Sequence, residues 1–296
     1  MRGIILAGLL HICTISFACD ICGGVSSNAS IGLFASTQFH TIGIRSSYRG
    51  FSTYMNGIRH SQEFLFGQEA QFRTQLNKRF QLMGTVPFQN AIQIRDFGKD
   101  FVSGIGDPTI IGNFILYQKR DSTGFSKNFL SMGLGVKAPL GQTVSNANVL
   151  KNLYPGTGSW DFLVLTNYTK QFSKLWGWQT EISYAHKGKD KFGFQYGNSI
   201  QVSNQVFVNQ KIGSYRLIVS TGINFEQYAA SRLNGDPIVG ATNQGMLLSA
   251  RASANILTYR WLWSFSVQQP FTQNINEGSI RQNTGATISL NYLLKK

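Results

Sequence analysis

The chain has 296 residues, of which only 14% are charged, while aromatic residues reach 13% and Gly contributes 31; an average globular protein is roughly one quarter charged. A mean hydropathy of −0.10 excludes a protein built on long apolar helices, because apolar and polar residues are finely mixed rather than segregated. The formal charge of +14 raises nucleic acid as a partner, but no run of Lys or Arg exceeds two residues. No nucleic-acid partner is therefore expected, and anionic membrane lipid is the simpler complement to this charge.

In chain order, Met1-Arg2 followed by the apolar run Gly3 to Phe17 and the small residues Ser16 and Ala18 predicts an export signal over residues 1–18. That run is too short to span a bilayer as a helix. Residues 19–39 open with Cys19-Asp20-Ile21-Cys22 and continue rich in Gly, Ser and Asn. In an oxidising compartment Cys19 and Cys22 are expected to form a local disulfide. Metal capture, for which one C-x-x-C supplies half of a tetrahedral set, and a lipid anchor on Cys19 are the alternatives. The same segment either fills the mouth of the following domain as a plug or hangs in the periplasm.

From His40 the sequence breaks into segments of ten to fifteen residues with period-two alternation. In the first, Ile42, Ile44 and Tyr48 alternate with Arg45, Ser47 and Arg49. In the second, near Glu63 to Leu76, Phe64, Phe66 and Phe72 oppose Glu63, Glu69 and Arg73. A third starts at Phe80, and later ones begin near Trp176, Ser199, Tyr215, Met246, Trp261 and Ala286. Segments at Pro108 to Tyr117, Phe129 to Pro139 and Trp160 to Phe172 alternate less cleanly but are rich in β-branched and aromatic residues. The total is about twelve strands.

Short connections, at Asn77-Lys78, Lys119 to Lys127, Ser173-Lys174, Lys211 to Ser214 and Thr258, alternate with long ones at Ser52 to Ser61, Asn90 to Gly106, Leu140 to Ser159, His186 to Asn198, Ala229 to Asn243 and Thr272 to Gly285. Outer-membrane barrels have short periplasmic turns and long external loops. A soluble sandwich or jelly roll offers no reason for that alternation, and its apolar face would not carry aromatic pairs such as Trp176/Trp178, Trp261/Trp263 and Tyr215/Phe225 near the strand ends. The expected fold is all-β: residues 40–296 as one antiparallel, up-and-down transmembrane β-barrel of about 12 strands, with both ends on the periplasmic side.

The polar side of the strands carries Arg45, Arg49, Glu63, Glu69 and Arg73, then Glu181, Arg216, Glu226 and Arg251. These are the candidate lumen-lining residues. Mixed charges in a lumen either select solutes through a transverse field or pair across it and plug it. Ile111, Leu130 and Phe207, if directed inward, favour an apolar solute instead.

Three short stretches resemble a known family. They are Gly104-Ile105-Gly106-Asp107-Pro108, then Lys137-Ala138-Pro139-Leu140-Gly141, and Leu153-Tyr154-Pro155-Gly156-Thr157-Gly158-Ser159-Trp160-Asp161. Together they are similar to the phenol-degradation (MetA-pathway) outer-membrane barrels, and Cys19-Asp20-Ile21-Cys22-Gly23 resembles the mature start of transporter-like proteins of Bacteroidetes. The resemblance implies a barrel in the cell outer membrane, bounded by its lipids, that passes small, often hydrophobic or aromatic, molecules without a cofactor. A closed structural or adhesive barrel is the first alternative. A lipid hydrolase is the second; it would need a His within reach of a Ser, and the mature chain offers only His40, His60 and His186 with no G-x-S-x-G.

Overall fold

The structure, a computed structural model, describes residues 40–120, 126–143, 151–238 and 244–294. The N-terminal segment with Cys19 and Cys22 lies outside the described residues. The first strands are β1 (His40–Met55), β2 (Ile58–Gln75), β3 (Phe80–Arg95), β4 (Gly98–Ile105), β5 (Thr109–Arg120) and β6 (Ser126–Lys137). After a single 3-10 turn (Lys151–Leu153) come β7 (Asp161–Gln171), β8 (Trp176–Lys187), the short β9 (Phe194–Gln195), β10 (Ser199–Ile212) and β11 (Tyr215–Tyr228). The chain ends in the short β12 (Arg232–Leu233) and β13 (Asp236–Pro237), then β14 (Gly245–Leu257), β15 (Trp261–Ile275), β16 (Ile280–Gln282) and β17 (Gly285–Leu294).

Neighbouring strands pair antiparallel around a closed ring. Two pairs of strands each form one interrupted stave: β4 and β5 both pair with β3, and β16 and β17 both lie between β1 and β15. The result is a closed antiparallel barrel of 12 staves. The seam joins the two ends of the chain, with His40 opposite Leu294 and Tyr48 opposite Ala286. Closure leaves no strand edge, which is the only way a sheet can satisfy its backbone within hydrocarbon.

The side chains are arranged inside out relative to a soluble protein. Ile44, Phe114, Leu134, Ile182, Val206, Ile223 and Phe265 are exposed on the outer wall, whereas Gln81, Asn113, Ser131, Gln179, Gln205 and Asn224 are buried within. This is the pattern that oil outside and a polar interior impose on a pleated wall. Outward Trp176, Tyr215, Trp261 and Trp263 gather at the short-turn end, as an interfacial aromatic girdle does.

All the predicted staves form, but three predicted long loops do not. Residues 52–61, 90–106 and 272–285 are mostly strand, so these hairpins rise as tall walls at the long-loop end. In the first, Asn56 and Gly57 hold positive φ angles of 51° and 80°. An Asn-Gly pair in that conformation makes the two-residue turn whose twist matches a hairpin. The Gly- and Asn-rich composition that suggests loops is thus turn chemistry at the tips. A second correction concerns Leu130. On β6 the odd positions, Phe129, Ser131, Gly133 and Gly135, are the buried ones, so by plain alternation Phe129 is inside and Leu130 sits on the outer face.

Ile223, 52% exposed in the middle of β11, tests the lipid face. Ile223→Arg is expected to cost about 2–4 kcal/mol, as for a cation near the bilayer midplane, read as a lower urea midpoint in lipid vesicles. A loss below about 0.5 kcal/mol would mean that this face meets water.

Candidate functional site

All nine charged side chains singled out above occupy inward positions, but the structure does not assemble them into one group. Six form a belt at mid-barrel. Arg45 Nη2 donates to Glu69 Oε2. The Arg251 guanidinium lies within electrostatic reach of Glu181 and Glu226 as well as of Arg45 and Arg49. These residues stand on β1, β2, β8, β11 and β14, so the charges meet across the lumen. Three guanidinium groups face three carboxylates, and neutral donors complete them: Asn167 Nδ2 reaches Glu181 Oε2 at 3.3 Å, while Asn224 Nδ2 and Gln268 Nε2 reach Glu226 Oε1 at 2.7 and 2.9 Å. Two voids touching the belt, of about 40 and 10 Å³, have the size of a few ordered waters or one.

The other three lie apart. Glu63 sits toward the long-loop end and accepts from Ser61 Oγ and from Gln93 Nε2 at 3.3 Å. Arg73 and Arg216 lie toward the short-turn end. Along the barrel axis these nine lumen residues therefore run from one buried carboxylate, through a neutral belt, to two guanidinium groups.

Sequence reasoning missed the closure of the long-loop end. Residues 140–143 and 151–159 fold inward against the break between β4 and β5, and they bring the three family-like stretches together. Asp107 Oδ1 accepts from the Gly141 N–H at 2.8 Å, and Oδ2 accepts from the Thr157 N–H and hydroxyl, each at 2.7 Å. Lys137 Nζ donates to Thr157 Oγ1 at 2.6 Å and lies 2.5 Å from Asp161 and 3.5 Å from Asp107. Lys187 Nζ stands 3.4 Å from the same Asp161. Asp161 is 0% exposed and also accepts from Ser159 Oγ at 2.9 Å and the Gly188 N–H at 3.1 Å. Two ammonium groups and two carboxylates are thus buried together with no net charge.

The glycines make the approach possible. A Cβ on Gly106 would lie 2.8 Å from the Pro155 carbonyl oxygen, one on Gly141 2.7 Å from the Gly106 carbonyl carbon, and one on Gly156 2.6 Å from the Gly141 carbonyl carbon. Held this way, the segment inserts Leu153, 1% exposed, among Phe51, Leu65, Val102, Leu247 and Ile280, with Tyr154 packed alongside. An apolar cluster therefore stoppers the outer end of a polar lumen.

One further feature escaped the alternation. Met83, Ile111 and Leu163 are buried on the inner face of β3, β5 and β7. Between the latter two strands, Gly133 and Gly135 of β6 leave room for the Ile111 side chain, since a Cβ on the first would lie 3.2 Å from its Cγ2 and one on the second 2.7 Å from its Cγ1. Ile111 and Phe207 do point inward. Of the histidines, His40 Nδ1 is 2.5 Å from Thr74 Oγ1, His60 is exposed on β2 rather than in a loop, and His186 lies on the outer face of β8. Among the described residues none of the three is hydrogen-bonded to a serine, and no group of His, Cys, Asp and Glu has the form of a metal site.

No family model matches the chain, and no curated protein does. Solved structures do. An outer membrane channel from Pseudomonas putida F1 superposes with a TM-score of 0.68 over 87% of this chain and 96% of its own, at 14% identity. The β domain of the Bordetella autotransporter BrkA gives 0.56 over 87% of this chain and 100% of its own, and the transport unit of the Escherichia coli autotransporter AIDA-I gives 0.51 over 91% and 96%, each at 8% identity. The chain shares with these the fold of outer-membrane β-barrels.

The ion cluster makes a direct prediction. Asp161→Asn leaves two buried ammonium groups with one carboxylate and is expected to destabilise the folded barrel by about 3–5 kcal/mol. Adding Lys187→Met to that variant restores the balance of charge and is expected to recover part of the loss in the same unfolding assay.

Proposed function

We propose that this protein resides in the outer membrane as a gated conduit for small solutes, exported by residues 1–18, with its short turns in the periplasm and membrane lipid around its wall. The observation that carries the reading is how the barrel is closed. Its interior is polar and charged along most of its length, and the outer end is stoppered by a loop segment inserted from above rather than by a packed core. Such a stopper blocks while it is seated and opens a path if it lifts, because an apolar constriction excludes water and ions only while it is narrow. The likeness to an outer membrane channel is consistent with this reading. The inner strip of Met83, Ile111 and Leu163 favours solutes with an apolar body, which is also what the resemblance to the phenol-degradation barrels implies.

A closed structural barrel is the second reading, and one observation favours it: the belt charges meet across the lumen, with voids of about 40 and 10 Å³ beside them. Conductance in planar bilayers and liposome swelling separate the two. The native protein is expected to conduct in brief, infrequent openings. Asp107→Asn deprives the Thr157 N–H of its carboxylate acceptor, and loss of a hydrogen bond to a charged group, about 1.5–3 kcal/mol, is expected to raise the open probability about tenfold or more. Silence from both proteins, each shown folded by heat-modifiable gel mobility, favours the closed barrel.

A further inference from the structure

The short-turn end differs from the rest of the barrel in its charge. Its strand ends and turns carry Lys78, Arg79, Lys119, Lys170 and Arg260, and every described Asp and Glu lies further along the barrel or at the long-loop end. Within this basic rim is an open cavity of about 860 Å³. Lys127, Lys174, Lys211 and Arg216 line it, with Gln171 and Asn209 as neutral donors and no carboxylate. Phe172, Tyr215 and Tyr259 also border it. Its inner limit is apolar: Leu257 lines the cavity and packs against the buried cluster of Phe207, Ile218, Leu262 and Leu293.

We propose that this mouth is a binding site for small organic anions, specifically carboxylates attached to an apolar body. The parts divide the work by chemistry. Converging cations with low-dielectric walls behind them concentrate anions, as rings of Arg and Lys do in anion pores. Amide and guanidinium donors orient the carboxylate, and Leu257 with the apolar cluster behind it receives the apolar body. The volume lies in the range of small-molecule sites, about 300–1,000 Å³. A neutral apolar solute gains nothing from the four cations, and an organic cation is repelled by them. A role for this mouth as a station on a transport path rests on the conduit reading; the binding site itself does not.

The test titrates the detergent-extracted, folded protein with three molecules of one shape: 3-phenylpropanoate, 3-phenylpropanol and 3-phenylpropylamine, followed by NMR line broadening at low salt. The acid is expected to bind about tenfold more tightly than the alcohol, the sum of two or more exposed ion pairs, and the amine most weakly. Raising the salt is expected to erase the advantage of the acid. Lys211→Gln/Arg216→Gln, with its fold checked by heat-modifiable mobility, is expected to bind the acid no better than the alcohol. Lys174→Glu, at an exposed turn, is expected to weaken acid binding in the same direction. Equal binding of acid and alcohol, or acid binding untouched by the double variant, overturns the proposal. So does displacement of the acid by phosphatidylglycerol added at an equal concentration of headgroups, which would make the mouth a lipid site. Because binding is read without current, a silent but binding protein would refute the conduit and leave this site standing.

Discussion

A backbone in hydrocarbon has no water to bond with, and this single requirement shapes the rest of the molecule. It forces the strands into a ring with no edge, met here by the seam that pairs His40 with Leu294 and Tyr48 with Ala286. A closed pleated ring divides space into an outside and an inside, and period two then assigns every other side chain to each. Ile44 and Ile223 face out while Arg45 and Asn224, their immediate neighbours in sequence, face in. The polar interior is thus a consequence of the apolar exterior, and it creates the problem of how a lumen full of charge and amide is kept from being an open hole.

The molecule meets that problem at two levels by different chemistry. At mid-barrel, charges of opposite sign meet across the lumen, so the belt is neutral as a group even though each member is buried. At the outer end the stopper is apolar, and Leu153 is held in place by polar contacts some distance away. Asp107 and Asp161 take the N–H and hydroxyl groups of the inserted segment together with Lys137 and Lys187. Removing the water from four charges is costly, and such clusters are retained where they specify one arrangement among several. The arrangement specified here is the seating of a loop. The interrupted stave belongs to the same device: Pro108 offers no N–H to a ladder, and the break leaves Gly106 and Asp107 available to the loop rather than to a neighbouring strand.

The wall was legible from sequence because it obeys one local rule, and residues such as Ile42, Ile44, Phe64 and Phe66 state that rule without reference to anything distant. Departures occur where the rule is modified locally. Asn56-Gly57 reads as loop composition but is a turn at the tip of continuing strands, and the bulge beside Leu116 breaks the alternation of β5 by leaving both Leu116 and Tyr117 on the outer face. The inward direction of Arg45, Glu181 and Arg251 follows from alternation. Which of them meet does not, since β1, β8 and β14 are brought face to face only by closure. The outer cluster was hidden for the same reason. Asp107, Lys137, Asp161 and Lys187 are spread over eighty residues at strand ends, where charge ordinarily means solvent. The available signal was the group of glycine-containing stretches that resemble a family, since a glycine beside a charged residue at a strand end marks a place where backbone must approach closely.

The axial order of charge gives the molecule a direction. Glu63 and the sealed quartet lie at one end, the balanced belt in the middle, and Arg73, Arg216 and the basic rim at the other. A symmetric hole has no such gradient. If the conduit reading holds, a small anion leaving the belt would meet Arg73, Arg216 and the basic rim on the short-turn side, and the same charges would retain it in a cavity open to water. Retention there is useful only if something downstream removes the anion or if ionic strength screens it, and exposed charges are largely screened beyond about 8–10 Å at physiological salt. The stopper and the basic mouth therefore act on different steps. On the conduit reading, the first would govern whether a solute enters, through a buried cluster that salt hardly reaches, and the second which solutes linger, through exposed charges that salt controls.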